Sequence, residues 1–135
     1  MKSSRREFIR SAALTGAAFA FPSIIPSSVL GANSPSNTLN IAQIGCGRIG
    51  LTMDMIGFFK AKGSRVIAAA DLDKRRLEYF RSIIARRYKM KNPQSVIGAT
   101  DYHDLLSNKD IDAFSISTPD HWHAQIAIEA AFADK

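Results

Sequence analysis

Leu39-Asn40-Ile41-Ala42-Gln43-Ile44-Gly45-Cys46-Gly47-Arg48-Ile49-Gly50 places an apolar run directly before three glycines spaced G-x-G-x-x-G, and a stretch with helical periodicity follows. A strand therefore passes into a helix through a glycine-rich turn. Gly45 permits the sharp reversal after the strand, Gly47 lets a pyrophosphate approach backbone with no Cβ in the way, and Gly50 lets the helix pack close to the sheet. The amides of Arg48, Ile49 and Gly50 then lie at the positive end of the helix dipole, where phosphate is held without a lysine clamp. No Lys-Ser or Lys-Thr pair follows the glycines, which argues against a P-loop. The same turn without a ligand is the alternative, and Asp71 weighs against it. It ends the next strand-like run, about 20 residues on, where the dinucleotide fingerprint places its acid.

The spacing predicts a first helix with Ile49, Met53, Ile56 and Phe59 on its buried face, ended by Lys62-Gly63-Ser64. Arg65 to Ala70 is a short apolar run suited to a strand buried on both faces of a parallel sheet. Asp71 emerges at its carboxyl end, the side on which open α/β sheets bind ligands. Its carboxylate suits both ribose hydroxyls and repels a 2′-phosphate, favouring NAD, while Lys74, Arg75 and Arg76 blur that preference toward NADP. Asp71 also fits a turn or capping role, although Asp73 is better placed to cap the helix that begins near Lys74. Leu77, Phe80, Ile84 and Tyr88 give that helix one buried stripe. Its basic residues, from Lys74 to Lys91 with only Glu78 to offset them, read as a solvated face in preference to a nucleic-acid patch.

A helix end near Asn92-Pro93, a third strand at Ser95 to Gly98 and a brief helix at Asp101 to Leu106 come next. His103 has no second ligand at metal-binding spacing and reads as a surface histidine. Ile111 to Ser117 is a fourth strand carrying Thr118-Pro119-Asp120-His121-Trp122-His123 at its carboxyl end. The last helix is expected from about His121 to Ala133, capped by Asp120, with Ala124, Ala127, Ile128 and Ala131 on one face. His121 and His123, two apart, point in different directions on a helix, which disfavours a shared metal. His123 reads either as a polar group beside a cofactor or as a capping histidine.

The 135 residues allow one ordinary domain, and the N-terminus must be set aside first. Residues 1–32 have the layout of a twin-arginine signal: Arg5-Arg6-Glu7-Phe8-Ile9, then a short Ala-rich run broken by Pro22. The run falls short of the roughly 20 apolar residues of a membrane-spanning helix. An uncleaved basic amphipathic anchor at the membrane surface is the alternative. Residues 33–38 form a polar linker, and residues 39–135 form the domain. The net charge is +6, and Lys2, Arg5, Arg6 and Arg10 against Glu7 account for half of it. Cys46 is the only cysteine, so the chain forms no internal disulfide. A thiol activated by the helix N-terminus is one reading of it, a small tolerated side chain in the turn the other.

Together, Ile-Gly-Cys-Gly-Arg-Ile-Gly at 44–50, Ala-Asp-Leu-Asp at 70–73 and Ser-Thr-Pro-Asp-His-Trp-His at 117–123 resemble the Gfo/Idh/MocA oxidoreductases, in the subgroup with twin-arginine signals. The resemblance covers about residues 38–135. It implies an NAD(P)-dependent oxidoreductase of sugars, polyols or related compounds, with Thr118, Pro119 and His123 near the nicotinamide side of the cofactor. It also leaves open an NAD-dependent glycosidase or a non-catalytic dinucleotide-binding remnant. The expected fold is an incomplete Rossmann-like doubly wound parallel sheet of about four strands, order 3-2-1-4. The family's Glu-Lys-Pro strand and second, substrate-binding domain have no counterpart here. Lys135 lacks the flanking Glu and Pro, so no catalytic residue is assigned, and the chain reads as a truncated product. Cofactor-site candidates are Gly45, Gly47, Arg48, Ile49, Gly50, Asp71, Thr118, Pro119 and His123; no metal site is expected. Export implies the twin-arginine translocase as partner and a periplasmic location. A cofactor acquired in the cytoplasm would then travel with the folded protein.

Overall fold

The computed structural model describes residues 37–135. The signal segment and most of the linker lie outside the described residues. The chain runs β1 (Leu39–Ile44), a π-helical turn (Gly50–Asp54) continuing as α1 (Met55–Lys60), β2 (Ser64–Ala70), α2 (Lys74–Arg87), β3 (Ile97–Ala99), α3 (His103–Leu106), β4 (Ala113–Ile116) and α4 (Asp120–Phe132). The four strands are all parallel and ordered β3-β2-β1-β4. That is the expected Rossmann-like order, and it puts every strand's carboxyl end on one side of the sheet.

Ile41, Ala42 and Ile44 of β1 and Val66, Ala68, Ala69 and Ala70 of β2 are buried, as two central strands covered on both faces require. One face packs Cys46, Met55, Val66, Leu77, Phe80 and Ile84 together; the other packs Ala42, Ala68, Ala70, Leu105 and Ile111. The alanines keep the strands thin enough for helices to approach. The Asp73 side chain accepts from the Arg75 N–H at 2.9 Å and caps α2 as expected. Its buried stripe is Leu77, Phe80 and Ile84, with Tyr88 half-buried against Phe59. One basic residue departs from the solvated face. Arg81 is buried, its guanidinium bonded to Glu78 and to the carbonyls of Gln94 and Val96.

Two helix faces differ from the sequence expectation. Ile49, Met53 and Ile56 are exposed, and Met55 is the buried residue of α1. The cause is the π turn, in which the Met55 N–H bonds the Gly50 carbonyl five residues back. The wider turn rotates the rest of the helix relative to a 3.6-residue repeat. On α4 the buried pair is Ile126 and Ala130, while Ala124, Ala127, Ile128 and Ala131 face outward. That helix is apolar around most of its circumference, so packing chooses the face and periodicity does not. It starts at Asp120 after Pro119, and no side chain caps it.

Candidate functional site

At the carboxyl edge of the sheet the chain leaves β1 through Gly45, whose φ of +88° is open to glycine and strained for other residues. A Cβ there would also lie 2.6 Å from the Ser117 carbonyl oxygen. The glycine turn therefore rests on the end of β4. The Gly45 N–H bonds the Ala70 carbonyl at 2.9 Å, tying the turn to the end of β2 as well.

Asp71 fastens the next residue. Its Oδ2 accepts from the Cys46 N–H at 2.7 Å and its Oδ1 from the Asp73 N–H at 2.8 Å. Each oxygen retains a lone pair, so the carboxylate joins the two loops and still has capacity for a ribose hydroxyl. The Cys46 thiol is buried, and burial, with the Asp71 charge second, pushes its pKa up to about 12. It is a protonated packing group, which removes the activated-thiol reading.

Beyond Cys46, a Cβ on Gly47 would meet nothing within 4 Å except the Arg76 guanidinium, with Nη1 at 4.0 Å. Gly47 is thus a bare floor with a cation beside it. Gly50 is buried beneath the turn, where a Cβ would lie 2.6 Å from the Gly45 carbonyl oxygen. The π turn that follows carries Asp54 back toward β4. Its carboxylate bonds the Ser117 hydroxyl closely and lies 3.5 Å from both Gln43 Nε2 and Ser115 Oγ. Gln43, fully buried on β1, donates to Ser117 Oγ at 3.0 Å and to the Gly45 carbonyl at 3.2 Å. These side chains join β1, the turn, the first helix and the end of β4 from below.

The cleft above has a volume of about 650 Å³. Gly45, Gly47, Asp71, Leu72 and Arg76 line one side, Thr118, Pro119 and Trp122 the other, and Asp101, Tyr102 and His103 border it as well. Thr118 Oγ1 is buried without a hydrogen-bond partner among the described residues, a polar atom left over for a ligand. His123 Nε2 lies 2.7 Å from the Thr118 carbonyl, so it must be the protonated nitrogen and donates there.

Five of the sequence candidates, Gly45, Gly47, Asp71, Thr118 and Pro119, therefore line one cleft. Arg48 and Ile49 sit exposed on the first helical turn outside that lining, Gly50 supports it from beneath, and His123 holds Thr118 from the rim. Sequence reasoning missed Leu72, Tyr102 and Trp122 as lining residues and Asp54 as a support. It named Arg76 only among neighbouring charges. Their positions depend on contacts between distant segments; the one local signal was an aromatic at each of two strand-to-helix junctions.

His103 is exposed and lies between two carboxylates, Nδ1 at 2.5 Å from Asp101 and Nε2 at 3.0 Å from Glu129. The Asp101 hydrogen bond, reinforced by the charges of Asp101 and Glu129, raises its pKa. The Tyr102 hydroxyl also bonds Glu129, at 2.5 Å, and burial followed by that bond pushes its pKa up to about 12. The cluster pins α3 to α4 at one end of the cleft.

Residues 39–135 match the Gfo/Idh/MocA family, described as an oxidoreductase family with the NAD-binding Rossmann fold. A protein of Shewanella pealeana named glycosyl hydrolase family 109 protein is 30% identical over 142 residues, covering 95% of this chain and 31% of that protein. The scyllo-inositol dehydrogenase of Lactobacillus casei, crystallised with NAD(H) and scyllo-inositol, superposes with a TM-score of 0.59 at 24% identity, covering 73% of this chain and 26% of that one. A 3-ketoreductase of Actinomadura kijaniata, crystallised with NADP, gives a TM-score of 0.60 at 23% identity, covering 73% and 27%. The last two share the fold. This chain spans about a third of the curated relative's length and about a quarter of each crystallised enzyme's.

Proposed function

This chain belongs to the Gfo/Idh/MocA oxidoreductase family, and from that premise we propose that residues 39–135 hold NAD or NADP for an exported enzyme acting on a sugar- or polyol-like substrate. The observation that carries the reading is the convergence of Gly45, Gly47, Asp71, Thr118 and Pro119 on one cleft. The residues fit the cofactor: a floor without side chains at Gly47, a carboxylate with spare acceptor capacity at Asp71, and an orphaned hydroxyl at Thr118.

When bound, the nicotinamide supplies hydride donation or acceptance. The chain's own residues bind and orient. Gly47 lets the pyrophosphate reach backbone, with the helix N-terminus at Arg48 to Gly50 offsetting its charge. Asp71 accepts from the adenosine ribose and disfavours a 2′-phosphate, while Arg76 offsets that repulsion. Thr118 donates its free hydroxyl to the cofactor, and Pro119 and Trp122 exclude water from the same wall. His123 donates to the Thr118 carbonyl and so holds the backbone at this strand end. No side chain described here is assigned the hydride-coupled proton transfer.

A second reading, glycoside cleavage that depends on NAD, is supported by the name of the Shewanella relative, whose identity exceeds that of either crystallised enzyme. Assaying the chain, and any longer form encoded with it, for NAD-dependent polyol oxidation and for release of a chromogenic aglycone separates the two. Polyol-dependent NADH formation supports the first; aglycone release that requires NAD supports the second. Export through the twin-arginine pathway rests on Arg5-Arg6 and the Ala-rich run. Arg5→Lys/Arg6→Lys is expected to retain the protein in the cytoplasm, and undiminished export of that variant would reject the route.

A further inference from the structure

In a parallel sheet every strand begins at the same end, so the pole opposite the cleft gathers the starts of all four strands. Under β2, α1 and α2 that pole is strongly cationic. Lys60 and Lys62 end the first helix and its turn, Arg65 opens β2, and Arg86, Arg87, Lys89 and Lys91 come from the last turn of α2 and the loop after it. All seven are exposed, and none pairs with a carboxylate among the described residues. Two are held in place. Arg65 lies over the Tyr88 ring at 5.2 Å, and Arg87 lies over Phe59 at 5.3 Å while donating to the Phe59 carbonyl at 2.9 Å. On the β4 side of the pole Asp110, Asp112 and Asp134 outnumber Lys109 and Lys135, so the positive charge is concentrated under β2, α1 and α2.

The chain enters the domain at this surface. The Leu39 N–H bonds the Gly63 carbonyl at 2.8 Å, next to Lys62. The linker 33–38 spans at most about 20 Å when fully extended. It joins the pole to a segment whose sequence is basic and then apolar, with Arg5, Arg6 and Arg10 before the Ala-rich run and Ile24-Ile25. While that segment remains attached and engages a translocase or the bilayer, a linker of this length would hold the cationic pole near the membrane face. A nucleic-acid partner leaves the apolar segment without a role, and the rings on this surface are already covered by arginines.

We propose that this pole, built around Lys60, Lys62, Arg65, Arg86, Arg87, Lys89 and Lys91, binds the anionic headgroups of a lipid bilayer, so that the cofactor cleft opens away from the membrane. The test uses the full chain with phosphatidylcholine vesicles, with and without about 30% phosphatidylglycerol, where each basic residue near the surface contributes about 1 kcal/mol. Lys62→Gln/Lys91→Gln is expected to weaken partitioning onto the anionic vesicles by about 30-fold, that contribution taken twice. Partitioning onto neutral vesicles stays unchanged. Lys74→Gln/Arg75→Gln removes the same charge from the far end of α2 and is expected to change anionic binding little. Thermal melts check that both variants fold. Equal losses from the two pairs, equal wild-type partitioning onto both vesicle types, or a loss by the pole variant confined to duplex DNA binding would each overturn the proposal.

Discussion

The Asp71 carboxylate accepts the Cys46 N–H at 2.7 Å, so the acid at the end of β2 holds the glycine turn at the end of β1. Its other oxygen holds the Asp73 N–H, and the residue joins two loops before any ligand arrives. Asp71→Ala leaves both amides without their partner. The expected cost is about 1–3 kcal/mol by urea denaturation, with loss of NAD binding. Unchanged stability would show that water replaces both bonds.

Arg76 and Arg75 both pair with Asp73, at 3.8 and 3.4 Å, but Arg76 stands beside the Gly47 floor and lines the cleft whereas Arg75 is turned outward. Arg76→Ala is expected to weaken NADP binding about tenfold, and NAD binding several times less. Arg75→Ala is expected to affect neither. Parallel titrations of both cofactors check this, and equal losses from Arg76→Ala would assign it to the shared pyrophosphate.

Asp54, the last residue of the π turn, accepts the Ser117 hydroxyl at the end of β4. Asp54→Ala removes the acceptor of the Ser117 hydroxyl beneath the turn, while Gln43 Nε2 keeps Ser117 Oγ and the Gly45 carbonyl, and is expected to cost about 1–3 kcal/mol. Asp54→Asn keeps an acceptor and is expected to recover about half of that in the same denaturation series.

The cluster at the end of the cleft gives a pH window. The His103 pKa is raised by the Asp101 bond first, so its contribution is fully present below the unfolded value of 6.5 and is lost as pH rises through the raised folded value. The carboxyls act in the opposite direction. The His103 bonds lower the Asp101 pKa, and the Tyr102 bond leads in lowering that of Glu129, so their contributions disappear as pH falls through those depressed values. The melting-temperature advantage of wild type over His103→Gln is expected to be largest below pH 6.5 and to shrink as pH rises through the raised His103 value. A constant difference would contradict the pairing.

Much of this site follows from spacing. Three glycines behind an apolar run, an acid one strand later and Thr118-Pro119 after the fourth strand are local patterns, and local geometry places them. Asp54 was not legible because its partner Ser117 lies 63 residues away. Ile49, Met53 and Ile56 misled because an i, i+4 template holds no information about a π turn. Ala124, Ala127 and Ile128 misled because an apolar helix offers several equivalent faces. Arg81 read as surface because the carbonyls of Gln94 and Val96 that satisfy it belong to a loop beyond the helix.

The central claim is that a dinucleotide lies across Gly47. Gly47→Val tests it most directly, because no φ in the left-handed region and no tight contact opposes a side chain there, yet the side chain occupies the floor of the cleft. Calorimetric titration with NAD should show saturable one-to-one binding to the wild-type chain and none to Gly47→Val at unchanged melting temperature. Absence of NAD and NADP binding by the wild type, or equal affinity of the variant, would contradict the account.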